Sequence, residues 1–190
     1  MKVVAFNGSP RKDGNTARLI QHVFDELQKE GIETELVHIG GKPVQGCIAC
    51  FGCREQAVPR CVIDDGFINP CIEKMLEADG IMLGSPTYFA DITPEMKALI
   101  DRAGFALQGN LRRKVGAAVV AARRGGAMHA FHSLNNFFLI KQMIIPGSCY
   151  WNFAFGRDKG EVENDEEGIR IMHVLGENMA WLLKQTHTQK

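Results

Sequence analysis

Apolar residues fall along this chain in two alternating rhythms. Short unbroken runs, "KVVAF" at 2–6, "GIMLGS" at 80–85 and "KVGAAVVAA" at 114–122, read as buried strands. "ETELVHI" at 33–39 and a segment around 147–155 supply two more. Between them the spacing turns helical. Leu19, Val23, Phe24 and Leu27 share one face of a helix predicted over 15–30, which Gly31 stops. Ile68, Ile72, Met75 and Leu76 repeat in the same way over 67–78. Thr93 followed by Pro94 starts a helix running to about Ala103, because proline at the first helical position gives up no needed donor. "MHAFHSLNNFFLIKQM" reads as a fourth helix, and Asp165 caps a last one with Met172, Leu175, Met179, Leu182 and Leu183 inward. The stretch 40–66, rich in Gly, Cys and Pro, has no such rhythm.

Strands alternating with helices imply a parallel sheet covered on both faces. Five strands suit a flavodoxin-like order better than the six-stranded dinucleotide fold. The expected architecture is therefore α/β: a flavodoxin-like three-layer sandwich with a five-stranded parallel sheet. The 190 residues, 45% of them hydrophobic, make one domain over 1–190 with a cysteine-rich loop insertion at about 40–66. Lys plus Arg equals Asp plus Glu at 22 each, which argues against a nucleic-acid partner, since such binders carry a basic excess. Nothing resembles a secretory signal or a bilayer span, so no membrane association and a cytoplasmic location are expected. In a reducing compartment the six cysteines serve as thiols, metal ligands or redox groups, not as a disulfide framework.

The chemistry collects in the loops after the strands, where ligands of such sheets bind. "FNGSPRKDGNT" at 6–16 follows the first strand and opens a helix, the place where backbone N–H groups and the helix dipole attract an anion. Ser9, Asn15 and Thr16 can donate hydrogen bonds there, and Arg11 a charge-assisted one. Five residues separate Gly8 from Gly14 and Asn15 stands where a Walker lysine would be, so this is not a nucleotide-triphosphate loop. Pro10 occupies the second glycine of a dinucleotide fingerprint. A hydroxyl-rich loop suited to a terminal phosphate monoester remains. "GSPTYFADITPEMKALIDR" at 84–102 follows the third strand, and Pro86, Thr87, Tyr88 and Phe89 set a rigid turn and two aromatics at the same edge, where a flat heteroaromatic ring can stack. "ARRGGA" at 122–127 follows the fourth strand. Gly125 and Gly126 allow close backbone approach, and Arg123 and Arg124 can meet ring oxygens or a second nucleotide.

A phosphate monoester and a flat ring together suggest flavin mononucleotide (FMN). With the cysteine stretch, these motifs resemble the NAD(P)H-dependent FMN reductase and iron–sulfur flavoprotein family over most of the chain, the late "YWNFAFG…DEEG" region included. The resemblance implies a flavodoxin-like fold, bound FMN and a homodimer or homotetramer. It puts the FMN phosphate at Ser9, Arg11, Asn15 and Thr16, and the isoalloxazine ring against Pro86 to Phe89.

"CIACFGCREQAVPRC" holds Cys47, Cys50, Cys53 and Cys61 in the spacing C-x2-C-x2-C-x7-C. Three thiols in seven residues can take three corners of a 4Fe-4S cluster, with Cys61 as the fourth ligand. Structural zinc more often uses two separated C-x2-C pairs, and free thiols are the third alternative. Cys71 and Cys149 read as buried packing residues. His129 and His132 read as a polar helix face, Lys97 and Asp101 as an i,i+4 pair, Trp151 as a core or interface residue, and Asp64 and Asp65 as closing the cysteine loop or capping the next helix. The expected function is an FMN-dependent oxidoreductase that moves electrons from NAD(P)H or a reduced ferredoxin-like donor, through FMN and the cluster, to an acceptor. The alternatives are a two-electron NAD(P)H-dependent FMN or quinone reductase without a cluster, and a non-enzymatic electron-transfer flavoprotein. No catalytic side chain is assigned.

Overall fold

The computed structural model describes residues 1–187. Strands β1 (Lys2–Asn7), β2 (Glu33–His38), β3 (Gly80–Pro86), β4 (Val115–Ala122) and β5 (Phe153–Phe155) alternate with helices α1 (Asn15–Lys29), α2 (Ile68–Glu77), α3 (Pro94–Leu107), α4 (Ala127–Ile140) and α5 (Glu166–His187). The strands form one sheet in the order β2-β1-β3-β4-β5. Every pairing is parallel, with Phe6 beside both Val37 and Leu83. The order reverses beside β1, so the loops after β1 and β3 open next to each other.

Alternation along the central strands sorts side chains to two cores. Val4, Phe6, Ile81, Leu83, Ala118 and Val120 face α2, α3 and α4. Val3, Ala5, Met82, Val115, Ala117 and Val119 face α1 and α5. Period 2 in the strands and 3.6 in the helices thus meet as three layers.

Two expectations need correction. The fifth strand is three residues long, not nine, because 147–151 stays out of the ladder. Ser148 donates to the Tyr150 carbonyl and lies 2.6 Å from Asn152 Oδ1, a local side-chain turn that competes with strand pairing. Cys149 sits on that turn and is exposed, not a buried packing residue. Cys71, by contrast, is buried in α2, and burial pushes its thiol up to about 12. Lys97 and Asp101 do form the expected pair on α3, at 2.6 Å.

Candidate functional site

β1 ends in Asn7, a buried side chain whose Oδ1 accepts from the Ser9 N–H at 3.0 Å. The Arg11 N–H donates to Ser9 Oγ at 3.2 Å, and the Gly14 N–H to the Arg11 carbonyl at 3.1 Å. These bonds fold 7–14 into a tight turn that delivers the chain to α1. Gly14 is the N-cap, extended and without a side chain, so the first turn of α1 has no side-chain cap and no acidic residue. Its amides are available to an anion. Thr16 lies in that turn, 1% exposed, and its hydroxyl has no hydrogen-bond partner among the described residues. Leaving such a group unpaired costs about 1–3 kcal/mol. A phosphate monoester would satisfy the hydroxyl and the amides together.

The other phosphate-loop candidates have structural partners. Asn15 Nδ2 donates to the carbonyls of Gly156 and Asp158 at 3.0 Å, and Asn15 Oδ1 accepts from the Gly160 N–H at 2.7 Å. Its amide is committed to fastening the segment after β5 over the start of α1. Arg11 is exposed, and Nη1 donates to the Arg157 carbonyl at 3.3 Å. Glu161 in turn accepts from the N–H groups of Arg157 and Asp158, at 2.6 and 2.7 Å, which holds its carboxyl below the usual range. This brace over 156–161 was not legible as a working part of the site.

The second loop is tied to the first through backbone. The Gly8 N–H donates to the Gly84 carbonyl at 2.8 Å, and Thr93 Oγ1 donates to the Gly8 carbonyl at 2.9 Å. A Cβ on Gly8 would lie 2.8 Å from Thr93 Oγ1, so this approach requires glycine. Beyond Pro86, Tyr88 and Asp91 exchange both backbone hydrogen bonds, at 2.8 and 3.0 Å, around Phe89 and Ala90. Both central residues have positive φ, 47° and 65°, a two-residue turn that normally selects Asn-Gly. The strain is held by Asp91, whose Oδ1 accepts from Ser133 Oγ on α4 at 2.6 Å and from the Ile92 N–H at 2.8 Å. The Ser133 hydroxyl holds the Asp91 carboxyl below the usual range against the opposing effect of burial.

The third loop closes on the second. Gly126 has φ 83°, and a Cβ there would stand 2.8 Å from Ala90 Cα. Arg123, Arg124 and Gly125 are exposed beside it. Tyr88 and Phe89 are exposed as well, and Thr87 carries a second buried hydroxyl without a partner among the described residues. The structure therefore brings 9–16, 86–89 and 123–126 to one edge of the sheet. Sequence reading missed Asn7, Thr93, Asp91 and Ser133, which hold these loops. The one available signal was a polar Asn at the end of a strand whose interior, 3–6, is wholly apolar.

The cysteine stretch lies elsewhere, between β2 and α2. Cys47, Cys50, Cys53 and Cys61 border one hollow of about 20 Å3, together with Arg102 and Phe105 of α3. Ala49 and Phe51 have positive φ, 53° and 57°, which curls the chain between the first three cysteines. The Ala49 N–H points at Cys47 Sγ, 3.4 Å away. Burial pushes the Cys53 thiol up, and the neighbouring Cys61, Cys50 and Cys47 push it further. Cys61 is buried and fixed by Asn69, which accepts from its N–H at 2.8 Å and donates to its carbonyl at 3.1 Å. Four soft sulfur donors around one hollow are the right chemistry for an iron–sulfur cluster. As they stand, no three Cys, His, Asp or Glu side chains among the described residues are grouped closely enough to hold a metal ion. Asp65 does close the loop: its Oδ1 accepts from the first amides of the α2 region, Phe67 and Ile68, at 3.1 Å each.

An anion loop, a strained aromatic turn and a glycine loop stand together at the switch point of a five-stranded parallel, flavodoxin-like sheet, where ligands of such sheets bind. The chain belongs to the NADPH-dependent FMN reductase family, whose model matches residues 1–158, and is an FMN-binding oxidoreductase of that family. It is 38% identical to an iron–sulfur flavoprotein of Methanocaldococcus jannaschii, over 97% of this chain and 98% of that one. It is 37% identical to an iron–sulfur flavoprotein of Methanosarcina thermophila, over 82% and 81% of the two chains. Among solved structures, RosB with bound 8-demethyl-8-formylriboflavin 5′-phosphate matches with a TM-score of 0.76 at 18% identity, over 99% of this chain and 81% of that one. A flavodoxin from the domain Archaea matches with a TM-score of 0.65 at 14% identity, over 97% and 99%. At such identities these two likenesses speak for the fold alone. No helix among the described residues is long and apolar enough to cross a membrane.

Proposed function

We propose that this protein is an NAD(P)H-dependent FMN reductase in which the three loops hold FMN by its phosphate and stack its ring. The observation that carries the reading is the pair of buried hydroxyls without a partner among the described residues, Thr16 at the phosphate loop and Thr87 at the ring turn, beside an uncapped helix start. Ser9, Arg11, Thr16 and the first amides of α1 take the phosphate. Asn15 acts indirectly, by holding the 156–160 segment against the loop. Pro86, Thr87, Tyr88 and Phe89 flank the ring. Bound FMN supplies the capacity to accept two electrons as a hydride and to release them singly. Without a dinucleotide fingerprint, NAD(P)H binds transiently, its phosphates met by Arg123 and Arg124, and Gly125 and Gly126 let it approach the backbone. Anaerobic stopped-flow mixing tests this. NADPH or NADH should bleach the FMN, saturating only at high nucleotide concentration, and Arg123→Ala with Arg124→Ala should raise that concentration while FMN stays bound. If neither nucleotide reduces the flavin but reduced ferredoxin does, the chain is an electron carrier.

The family match and the fold support this flavin chemistry more broadly than they support a cluster. A second reading is favoured by one specific arrangement, the four cysteines around a single hollow, and by the similarity to the two archaeal iron–sulfur flavoproteins. In that reading Cys47, Cys50, Cys53 and Cys61 hold a 4Fe-4S cluster, the one-electron partner of the flavin. Iron analysis after anaerobic reconstitution decides it: about four irons per chain, lost in Cys50→Ala and kept in Cys149→Ala, or none.

A further inference from the structure

Arg102 is the largest fully buried side chain among the described residues, 1% exposed in the middle of α3. All four hydrogen bonds of its guanidinium end on the cysteine segment. Nη1 donates to the Gln45 carbonyl at 3.2 Å, ahead of Cys47, and to Asp65, beyond Cys61. Nη2 donates to the Ile63 carbonyl, and Nε points at Cys61 Sγ, 3.4 Å away. A single side chain from outside the loop thus gathers both of its ends.

Burying an ion pair is expensive, and a well-packed apolar residue would often serve stability as well. What an apolar residue would not supply is a permanent positive charge against a sulfur. Asp65 meets this charge at the far edge of the fork, Oδ2 on Nη1, while its Oδ1 accepts from the N–H groups of Phe67 and Ile68. The Nε edge is left to Cys61.

We propose that Arg102 is the positioning residue of the cysteine site: it holds Cys61 and the two loop ends in place, and its charge favours the more negative, reduced state of the cluster there. This rests on the cluster reading above. An N–H aimed at a ligating sulfur and a nearby cation both stabilise added electron density, so removing them makes reduction harder.

The test uses flavin-loaded, anaerobically reconstituted wild type, Arg102→Lys and Arg102→Gln. Cluster potential is read by dithionite titration with electron paramagnetic resonance. In parallel, Cys61 alkylation by iodoacetamide is followed by mass spectrometry on iron-free protein. Arg102→Gln should lower the reduced-to-oxidised ratio at a set potential at least tenfold, a shift of about 59 mV for one electron. Arg102→Lys, which keeps the charge and loses the planar fork, should recover most of that shift. Cys61 should alkylate at least tenfold faster in Arg102→Gln than in wild type. Equal potentials in the three proteins, or a Lys variant as shifted as the Gln variant, would overturn the electrostatic role. Unchanged Cys61 alkylation would overturn the positioning role. If wild type takes up no iron, the cluster reading falls and the alkylation arm alone judges Arg102. If the Gln variant does not fold, the Lys variant decides: a tenfold shift with the charge retained counts against the proposal.

Discussion

The flavin edge and the cysteine loop are both irregular chain between regular elements, yet they are held by opposite means. At the edge that carries the three loops, many separate contacts fix the chain: the Gly8 N–H on the Gly84 carbonyl, the Thr93 hydroxyl on the Gly8 carbonyl, Asp91 on Ser133, and Gly126 close against Ala90. Along 46–64 the chain is largely exposed and leans on one buried side chain, Arg102, with Asn69 as an accessory. A site clamped at many points does not depend on any one of them for its shape. A segment gathered by one cation depends on that cation.

Two glycines at the start of the cysteine segment put that contrast to its strongest test. A Cβ on Gly40 would fall 2.2 Å from both the carbonyl carbon and oxygen of Ser9, with no flexible side chain to yield. A Cβ on Gly46, six residues on, would meet nothing within 4 Å, and its φ is not in the left-handed region. Gly40→Ala should cost more than about 3 kcal/mol, at the severe end for single substitutions, and abolish FMN retention. Gly46→Ala should be neutral or stabilise by about 0.4–1 kcal/mol through the unfolded chain. Chemical denaturation with flavin absorbance reads both. Equal effects would erase the distinction between the regions.

The second test breaks the cysteine loop from its own side. Asp65→Asn leaves the buried Arg102 charge without its carboxylate, a loss of about 3–5 kcal/mol for a buried pair. The pH dependence follows the same group. Burial raises the Asp65 carboxyl, but Arg102 and the amides of Ile68 and Phe67 outweigh it and hold the folded value below the usual range. Its contribution is complete above the unfolded value of about 4, and is lost as the pH falls through the lower folded value. The bonds that shape 7–14 come from amides, Asn7 and Ser9, none of which titrates there. Acidification below about pH 4 should therefore raise hydrogen exchange at 45–65 before it does at 7–14. Simultaneous opening would mean the two regions share one fate.

The same difference explains what the sequence disclosed. Strand and helix periodicities marked the five strands and the five α-helices, because both cores are wide and apolar, and turn chemistry marked the three loops that the fold brings to one edge. The fifth strand was overread because "GSCYWNFAF" is apolar enough to look paired, while Ser148 hydrogen bonds decide locally against it. Asn15 was read as a phosphate donor from its position in the loop, and its bonds to Gly156 and Asp158, some 140 residues away, were out of reach of that reading. Arg102 was invisible as a functional residue for a like reason. It sits in a helix whose charged neighbours face solvent, and only tertiary structure turns it inward.

The smallest expected effect is the most discriminating for the flavin edge. Thr16→Val keeps the shape of a fully buried side chain and removes a hydroxyl that has no partner among the described residues. In the FMN-free protein this should be neutral or stabilising, since an unsatisfied polar group is lost and apolar contact with neighbours such as Ile20 is gained. In the FMN-bound protein the sign should reverse, because the hydroxyl then pairs with the phosphate. The expected loss of FMN affinity is about tenfold, the size of one hydrogen bond to a charged group at about 1.5 kcal/mol. Riboflavin, which lacks the phosphate, should bind the variant and the wild type alike. Denaturation of FMN-free protein and flavin fluorescence titration measure the two halves independently. A variant that binds FMN as tightly as wild type would leave the Thr16 hydroxyl unexplained and move the phosphate away from the start of α1.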